Sequence, residues 1–199
     1  MDLLIATSNP GKVREYRTLL ADVPANLLGL NDVGLGDMDV EESGDTLEAN
    51  ASIKAQAYAQ VSGLLTLADD TGLFVDALDG RPGVYPARYG GPGLTMQQRR
   101  QKLLAELGDT PDAQRTARFV CVIALAWDDQ IEMVRGTCEG RIAWAEDEGG
   151  EGFGYDSIFI PQGYDISWSH VPLDEKNRIS HRGQAARQIV PILQRLLNS

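Results

Sequence analysis

Apolar and polar positions along the chain form blocks that are typical of strands followed by helices. A short apolar run, Leu3 to Ala6, indicates a buried strand, and it ends in the polar turn 7–12. The apolar side chains that follow fall on one helical face, namely those of Val13, Tyr16, Leu19 and Leu20. A strand, a polar glycine-containing turn and a helix in this order predict the opening of an α/β unit.

A second helical pattern covers residues 47–59 and predicts a helix that ends at Gly63. Either Asp45 or Thr46 is a suitable cap for its first turn. Within this helix Asn50 and Lys54 stand four residues apart, so their side chains project in one direction.

The apolar run 64–68 predicts a strand that leads into Asp69-Asp70-Thr71-Gly72. A carboxylate at the carboxyl end of a strand in an α/β sheet commonly faces the ligand crevice. Apolar residues flank the acidic pair on both sides, so we expect the pair to be more buried than Glu41 and Glu42.

The remaining predicted elements are spread along the whole chain. They are a strand candidate at 26–30, an ordered Gly/Pro-rich loop over 79–93, a helix that Thr95 caps and that runs to Leu107, a hairpin of 118–127 with 131–142, a strand over 157–160 and a final helix over 183–197 that contains Pro191. The fold class that follows is mixed α/β.

Composition narrows the class of protein. The chain has 199 residues, of which 43% are hydrophobic and 24% charged, which is typical of one globular domain, here 1–199. A net charge of −11 argues against a nucleic-acid partner, because nucleic-acid binders cluster Lys and Arg. No apolar run approaches the ~18 residues of a membrane span, and Cys121 and Cys138 make no disulfide framework. Since the first residues also lack the pattern of a secretory leader, we expect a cytoplasmic protein without a membrane partner.

The turn Ser8-Asn9-Pro10-Gly11-Lys12 is the first candidate for chemistry. A strand-to-helix turn can present backbone N–H groups and the positive end of a helix dipole to a phosphate, and Lys12 would add a full charge. The alternative is a simple capped turn. The spacing is not that of a Walker A loop.

Acidic pairs provide the second candidate. Glu41-Glu42 and Asp69-Asp70 offer hard oxygen ligands, which suit Mg²⁺ together with water and substrate phosphates. The alternative is that an acidic protein simply carries carboxylates on its surface loops. No histidine or cysteine spacing indicates a zinc site.

An aromatic segment and a cationic segment complete the set. Phe153 in Phe153-Gly154-Tyr155-Asp156 could stack on a planar base or pack in the core. The segment 176–182 gathers Lys176, His181 and Arg182 among its donors, which could bind carbonyl oxygens or phosphates; helix capping by Ser180 is the alternative.

In combination and in this order, the motifs resemble the inosine triphosphate pyrophosphatase family. The resemblance rests on Thr7-Ser8-Asn9-x-Gly11-Lys12, Glu41-Glu42-Ser43-Gly44 with Glu48-x-Asn50-Ala51-x-x-Lys54-Ala55, Ala68-Asp69-Asp70-Thr71-Gly72-Leu73, Phe153-Gly154-Tyr155-Asp156 and Ser180-His181-Arg182. It extends from residue 3 to about 197. It departs from the family pattern at Pro86, at Ser157 and at Ser167-Trp168-Ser169-His170, where the family usually has Ser, Pro and a stretch closer to Thr-Phe-Ala-Glu.

The resemblance implies an elongated two-lobed α/β homodimer with a central mixed sheet flanked by helices and a nucleotide cleft between the lobes. It implies Mg²⁺-dependent hydrolysis of ITP, dITP and XTP to the monophosphate and pyrophosphate. The implied metal ligands are Glu41 and Asp70, and Asp70 is also the implied general base. The implied substrate contacts are Thr7, Ser8, Asn9, Pro10, Gly11, Lys12, Lys54, Thr71, Phe153, Gly154, Tyr155, Asp156, Lys176, His181 and Arg182. By the same resemblance, the turn 8–12 and Lys54 would hold the triphosphate and Phe153 would stack on the base. The residues that would complete the base pocket are Asp156, Lys176, His181 and Arg182.

The residue chemistry is compatible with this reaction. Attack of water on the α-phosphorus expels pyrophosphate, which requires a positioned water and neutralised phosphate charge. Hypoxanthine and xanthine present a 6-oxo acceptor, whereas adenine presents a 6-amino donor. Donors such as Lys176 would therefore be left unpaired by adenine, a mismatch that can discriminate by ~10⁴-fold. Two other functions stay open: a phosphatase that removes the terminal phosphate, and a nucleotide-binding protein without activity.

Overall fold

A computed structural model describes residues 1–197 of the chain. The helices are α1 (Pro10–Leu19), α2 (Leu47–Ser62), α3 (Met96–Leu107), α4 (Leu173–Ile179) and α5 (His181–Leu197). The strands are β1 (Asp2–Ile5), β2 (Asn26–Gly29), β3 (Leu65–Val75), β4 (Pro82–Gly83), β5 (Thr116–Trp127), β6 (Gln130–Ile142) and β7 (Phe159–Pro161). None of the helices in this part of the chain has both the length and the apolarity needed to cross a membrane.

The strands form one mixed sheet in the order β2-β1-β3-β5-β6-β7, with β4 paired to β3. The first strand pairs in parallel with both neighbours, so that Leu3 lies opposite Leu27 on one side and Leu65 on the other. The pairs of β3 with β4 and of β6 with β7 are antiparallel. A mixed sheet together with helices confirms the predicted α/β class.

The chain divides into two compact units, each built from separate stretches of sequence. Unit 1 comprises residues 1–70 and 121–136 and the chain from His181 onward. Its core contains apolar side chains of β1, β3, β5 and α5, among them Leu3, Leu67, Ile123 and Ile189. Because the buried positions of α5 recur at helical spacing, this helix covers the core with one face.

Unit 2 comprises residues 71–120 and 137–180. The centre of its core is aromatic. Phe119 stacks on Trp168 with ring centroids 5.1 Å apart, and Phe159 meets Phe119 edge-on at 4.8 Å. Leu103 and Leu107 of α3 belong to the same core.

The third strand is longer than the sequence predicts. The acidic pair Asp69-Asp70 lies in the middle of β3, so the expectation of two carboxylates beyond a strand end is wrong. The strand continues because Leu73 to Val75 are apolar strand formers and β4 pairs beside them. Gly72 permits this pairing, since a Cβ there would lie 2.8 Å from the carbonyl oxygen of Gly83.

The helices near the C-terminus also differ from expectation. The sequence predicts one helix over 183–197, whereas the structure has a separate helix α4 over 173–179 and begins α5 at His181. The short helix α4 was missed because its seven residues are mostly polar and give no apolar period. The helices predicted after Thr46 and Thr95 are confirmed. Of the two candidate caps for α2, Asp45 and Thr46, the structure uses Thr46, and Thr95 caps α3 as expected.

Candidate functional site

The turn 7–12 follows β1 and is a capped helix start. The side-chain oxygen of Asn9 accepts hydrogen bonds from the backbone N–H groups of Gly11 (2.9 Å) and Lys12 (3.3 Å). The prediction that this turn offers unpaired amides is therefore wrong for these two residues, whereas phosphate binding by the turn stays a prediction. The side chains of Ser8, which is exposed, and Lys12 remain as the polar groups that this turn could offer to a phosphate.

Lys12 belongs to a buried charge network of unit 1, which we call the Asp69 cluster (Lys12, Glu15, Asp69, Arg182). The ammonium of Lys12 lies 3.0 Å from the Asp69 carboxylate. The guanidinium of Arg182 donates to Asp69 from Nε (3.3 Å) and Nη2 (3.2 Å), and from Nη1 to Glu15 (2.5 Å). The side chains of Asp69, Glu15 and Arg182 are at most 3% exposed.

Burial and charge act in opposite directions on Asp69. Burial alone raises the pKa of this carboxyl, but Lys12, Arg182 and Lys54 together hold the pKa well below its usual range. Burial likewise lowers the pKa of Arg182, and Asp69 and Glu15 more than compensate, so the guanidinium stays charged. The cluster is thus two cations matched by two anions.

The next residue along β3 faces a second network of unit 1, the Asp70 cluster (Glu42, Asn50, Lys54, Asp70). Lys54 lies 2.6 Å from Glu42, 3.2 Å from Asp70 and 2.7 Å from the carbonyl oxygen of Asp69. Asn50 donates to the other Asp70 oxygen at 3.3 Å and accepts from the N–H of Gly44 at 2.8 Å. The four-residue spacing of Asn50 and Lys54 on α2 brings both side chains to one carboxylate, as their common direction predicts.

The ionisation of the Asp70 cluster follows from burial and from its neighbours. Burial raises the pKa of Asp70; Lys54 opposes this effect and Glu42 adds to it. Burial lowers the pKa of Lys54, but Asp70, Asp69 and Glu42 reverse the effect, and the net pKa is raised. Lys54 is therefore a firmly charged ammonium that bridges two carboxylates.

The acidic residues of the chain can be compared with the ligands that a divalent cation requires. Within residues 1–197 no group of three or more His, Cys, Asp or Glu side chains is arranged as a ready metal site. Mg²⁺, however, commonly takes only one or two carboxylates and completes its shell with water and substrate phosphates. Asp70 and Glu42 offer two carboxylates on one ammonium, whereas Glu41 is exposed. The donor chemistry fits Mg²⁺ bound together with a phosphate ligand.

Unit 2 holds a separate group, the Phe153 group (Phe153, Asp156, Trp168, Lys176). The Asp156 carboxylate accepts from the N–H of Phe153 at 2.9 Å and from the ammonium of Lys176 at 2.7 Å. The same ammonium lies 4.9 Å from the ring centroid of Phe153 and 5.3 Å from that of Trp168. Lys176 thereby fixes a carboxylate beside a half-buried aromatic ring.

An open pocket of about 690 Å³ lies beside this group, entirely within unit 2. One wall is α3, with Arg100 and Gln101, and the other is formed by residues 144–154, which include Phe153. The pocket has the size of a small-molecule site and places the Phe153 ring in its lining.

The other residues that the sequence singled out occupy these elements as follows. Thr71 continues β3 directly after Asp70, and Gly154 adopts the left-handed φ of +64° that glycine favours. Tyr155 is buried and donates its hydroxyl to the carbonyl oxygen of Pro86 at 2.8 Å; burial raises its pKa to about 12. His181 is buried at the first position of α5.

Known proteins resemble this chain over almost its whole length. A sequence profile of the Ham1 family matches residues 3–192. The chain belongs to the Ham1 family. A dITP/XTP pyrophosphatase of Oceanobacillus iheyensis is 41% identical over 94% of this chain and 95% of its own length. A protein of Bacillus subtilis with the same name is 41% identical over 97% of both chains.

Solved structures of Ham1 proteins share the fold. A HAM1 protein from Coxiella burnetii superposes with a TM-score of 0.86 at 38% identity and covers 98% of this chain and 99% of its own. A nucleoside-triphosphatase, or dITP/XTP pyrophosphatase, from Mycobacterium abscessus gives a TM-score of 0.74 at 38% identity, over 96% of this chain and all of its own. The resemblance inferred from the motifs is thereby confirmed.

Within this Ham1 protein the structure adds partners that the sequence did not reveal. Glu15 is a buried acid on α1 and binds Arg182, which lies 167 positions away along the chain. Trp168 belongs to the Phe153 group, although it falls in a stretch to which the sequence assigned no role. The resemblance implies a base contact for Arg182, whereas the structure places its guanidinium on Asp69 and Glu15. No spacing rule marks Glu15 as a partner of Arg182.

Proposed function

We propose that this Ham1 protein hydrolyses the noncanonical purine nucleoside triphosphates ITP, dITP and XTP to the monophosphate and pyrophosphate, with Mg²⁺ as cofactor. The observation that carries the proposal is the Asp70 cluster, in which a buried carboxylate is held by Asn50 and Lys54 beside a second acid, Glu42. The names of the relatives from Oceanobacillus iheyensis and Bacillus subtilis support the same substrate class.

In this proposal, the charged residues of unit 1 serve the triphosphate. Lys12 and Lys54 neutralise charge that spreads over the phosphate oxygens during attack, which an acidic protein with a net charge of −11 would otherwise repel. Asp70 orients the attacking water and accepts its proton. When bound, Mg²⁺ would supply charge neutralisation at the phosphates, with Asp70 and either Glu41 or Glu42 as protein ligands.

The Phe153 group of unit 2 serves the base. The Phe153 ring offers a stacking face, and the buried ammonium of Lys176 is a donor for a 6-oxo group. Adenine would place a 6-amino donor against this ammonium and leave both groups unpaired, so we expect strong discrimination against ATP. His181 is a further donor that the family resemblance implies for the base.

The decisive experiment measures turnover of ITP, XTP, dITP, ATP and GTP with Mg²⁺ and resolves pyrophosphate from orthophosphate. We expect pyrophosphate from the 6-oxo purines ITP, dITP and XTP and little turnover of ATP. Orthophosphate with a diphosphate product would instead establish a terminal phosphatase. Binding of ITP without turnover would establish a nucleotide-binding protein.

Three variants test the residue roles in the same assay. Asp70→Asn keeps the contact with Lys54 but removes the base, and we expect kcat to fall by at least ~10²-fold. Normal turnover by Asp70→Asn would contradict the assignment of the base.

Glu41→Gln and Glu42→Gln form a matched pair, because each removes one charge and the two positions are adjacent. The variant that needs the larger increase in Mg²⁺ concentration for half-maximal rate identifies the second metal ligand.

Assembly and location belong to the proposal as well. We propose a homodimer in the cytoplasm, on the basis of the family resemblance. Light scattering of the purified protein tests the dimer directly.

A further inference from the structure

Arg100 of α3 uses one guanidinium to hold two distant points of the chain in unit 2. Its Nε and Nη2 lie 2.7 Å and 2.6 Å from the carboxylate of Glu146, and its Nη1 donates to the carbonyl oxygen of Gly154 at 2.8 Å. The arginine side chain is only 17% exposed and that of Glu146 only 23% exposed. The planar guanidinium thus acts as a fork, with Nε and Nη2 on one carboxylate oxygen of Glu146 and Nη1 on Gly154. Charge-assisted hydrogen bonds such as those to Glu146 are shorter and stronger than neutral ones.

These two points are the ends of the glycine-rich segment 146–154, which carries Phe153. Four glycines give the segment large conformational freedom in the unfolded chain, so its ordering requires specific contacts. The start of the segment is fixed further, because Ser157 donates its hydroxyl to Glu146 (3.1 Å) and the N–H of Asp147 donates to the Ser157 carbonyl oxygen (2.9 Å).

A second set of contacts holds the start and the middle of the segment against residues 167–170, where the sequence departs from the family pattern. Asp147 accepts from the hydroxyl of Ser167 at 2.7 Å and pairs with His170 at 2.9 Å. The N–H of Glu151 donates to the carbonyl oxygen of Ser169 at 2.7 Å. The segment is therefore anchored at its start and middle, and Arg100 anchors its end.

The C-terminal end of the segment 146–154 determines how the backbone of Phe153 is held. The Gly154 carbonyl held by Arg100 belongs to the residue directly after Phe153, and the N–H of Phe153 is held by Asp156. Arg100 and Asp156 thus fix the backbone on the two sides of the aromatic residue. The direction of the ring into the pocket follows from the backbone between these contacts.

We propose that Arg100 is a positioning residue for base recognition: by clamping Glu146 to Gly154 it holds the Phe153 ring in the orientation that stacks on a purine. The inference rests on the proposed function, and no motif that carries the family resemblance contains Arg100. Arg100 acts through Phe153 and does not act on the phosphates, so its loss weakens binding of the base and leaves the hydrolytic step in place.

The test compares Arg100→Ala with the wild-type enzyme on ITP and Mg²⁺. Without the clamp, substrate binding must order the segment, so we expect KM for ITP to rise by about tenfold and kcat to change by less than about threefold. Inorganic tripolyphosphate, which has no base, serves as a competitive inhibitor, and its inhibition constant should stay within about twofold. If Arg100 had only a structural role, its loss would raise KM for ITP and the inhibition constant of tripolyphosphate together.

Two further variants keep the result interpretable. Arg100→Lys retains the charge and the helix propensity but loses the fork, so we expect a folded protein with KM raised about threefold. Arg187→Ala removes one exposed arginine from α5 and should behave as the wild type. Hydrogen exchange of residues 149–154 should accelerate in Arg100→Ala and not in Arg187→Ala.

An unchanged KM for ITP in Arg100→Ala, or a parallel rise of KM and of the tripolyphosphate inhibition constant, would overturn the positioning role. Failure of the proposed function has a different signature, which is a wild-type protein without turnover of any purine triphosphate. In that case titration of both proteins with inosine monophosphate decides the inference. Weaker binding by Arg100→Ala supports it, and equal binding contradicts it.

Discussion

In unit 1 the carboxylate of Asp69 contacts both Lys12 and Arg182, and its side chain is fully buried. Isolated, such a charge would be strongly disfavoured by burial. It is tolerated because two cations lie within 3.3 Å of one oxygen. Asp69 therefore holds the side chain of Lys12, at the end of the turn 7–12 whose backbone Asn9 caps.

We predict that Asp69→Asn is strongly destabilising. The amide keeps the shape of the side chain but leaves Lys12 and Arg182 without their shared anion, and breaking a buried pair from one side typically costs ~3–5 kcal/mol. Urea unfolding measures the loss. Asp22→Asn, at an exposed position of unit 1, is the matched control and should change stability by less than ~0.5 kcal/mol. Equal stability of the two variants would show that the cluster contributes no net stabilisation.

At this scale the sequence predicts local pairs and misses distant ones. The common direction of Asn50 and Lys54 follows from four-residue spacing on one helix, and the structure brings both to Asp70. The contact of Glu15 with Arg182 joins residues 167 positions apart, and no periodicity encodes such a pairing. The choice between Glu41 and Glu42 also depends on how the segment before α2 turns, which neighbouring identical residues do not reveal.

Among the elements, the start of α5 depends on a close approach to β6. A Cβ at Gly136 would lie 2.1 Å from the carbonyl oxygen of His181 and 2.6 Å from the nitrogen of Ala185. Both atoms belong to the backbone of α5 and cannot rotate away. The helix that carries His181 and Arg182 is thus placed by the absence of a side chain on the strand.

We therefore predict that Gly136→Ala displaces the first turn of α5. Overpacking against backbone costs at least about 2 kcal/mol, and the shift of Arg182 should also weaken the Asp69 cluster. Gly29→Ala is the matched control, since its φ is −92° and its Cβ would meet only the Asp32 carboxylate at 3.5 Å. Thermal unfolding compares the two variants. If Gly136→Ala is as stable as Gly29→Ala, the close packing does not limit the position of the helix.

The sequence predicts elements well where caps or apolar periods mark them. The threonine caps of α2 and α3 and the apolar face of α5 are such marks. The sequence fails where tertiary contacts override local polarity. The strand β3 passes through Asp69-Asp70-Thr71-Gly72 because buried partners compensate both carboxylates, and these partners come from other parts of the chain.

For the whole molecule, the two units are linked by shared strands. The unit boundary falls inside β3, between Asp70 and Thr71, and likewise inside β5 and β6. Each unit also consists of separate sequence stretches, so no continuous segment contains a complete core. If one unit unfolded, the strands β3, β5 and β6 would lose part of their length, because each of them continues into the other unit. One domain over 1–199 stays a prediction, which the unfolding of the protein can test.

The consequence is a single cooperative unfolding transition. We predict that Leu193→Ala, in the core of unit 1, and Leu103→Ala, in the core of unit 2, each lower the stability by ~3 kcal/mol and each shift the whole transition. The measurement follows urea unfolding at one fixed protein concentration by far-ultraviolet circular dichroism and by tryptophan fluorescence. Trp127 reports on unit 1, and Trp144 and Trp168 report on unit 2. Coincident midpoints in both variants are expected, because strands that cross the boundary cannot keep their pairing when one half is lost. Two separated midpoints, with each substitution moving only one of them, would show that the units unfold as independent domains despite the strands they share.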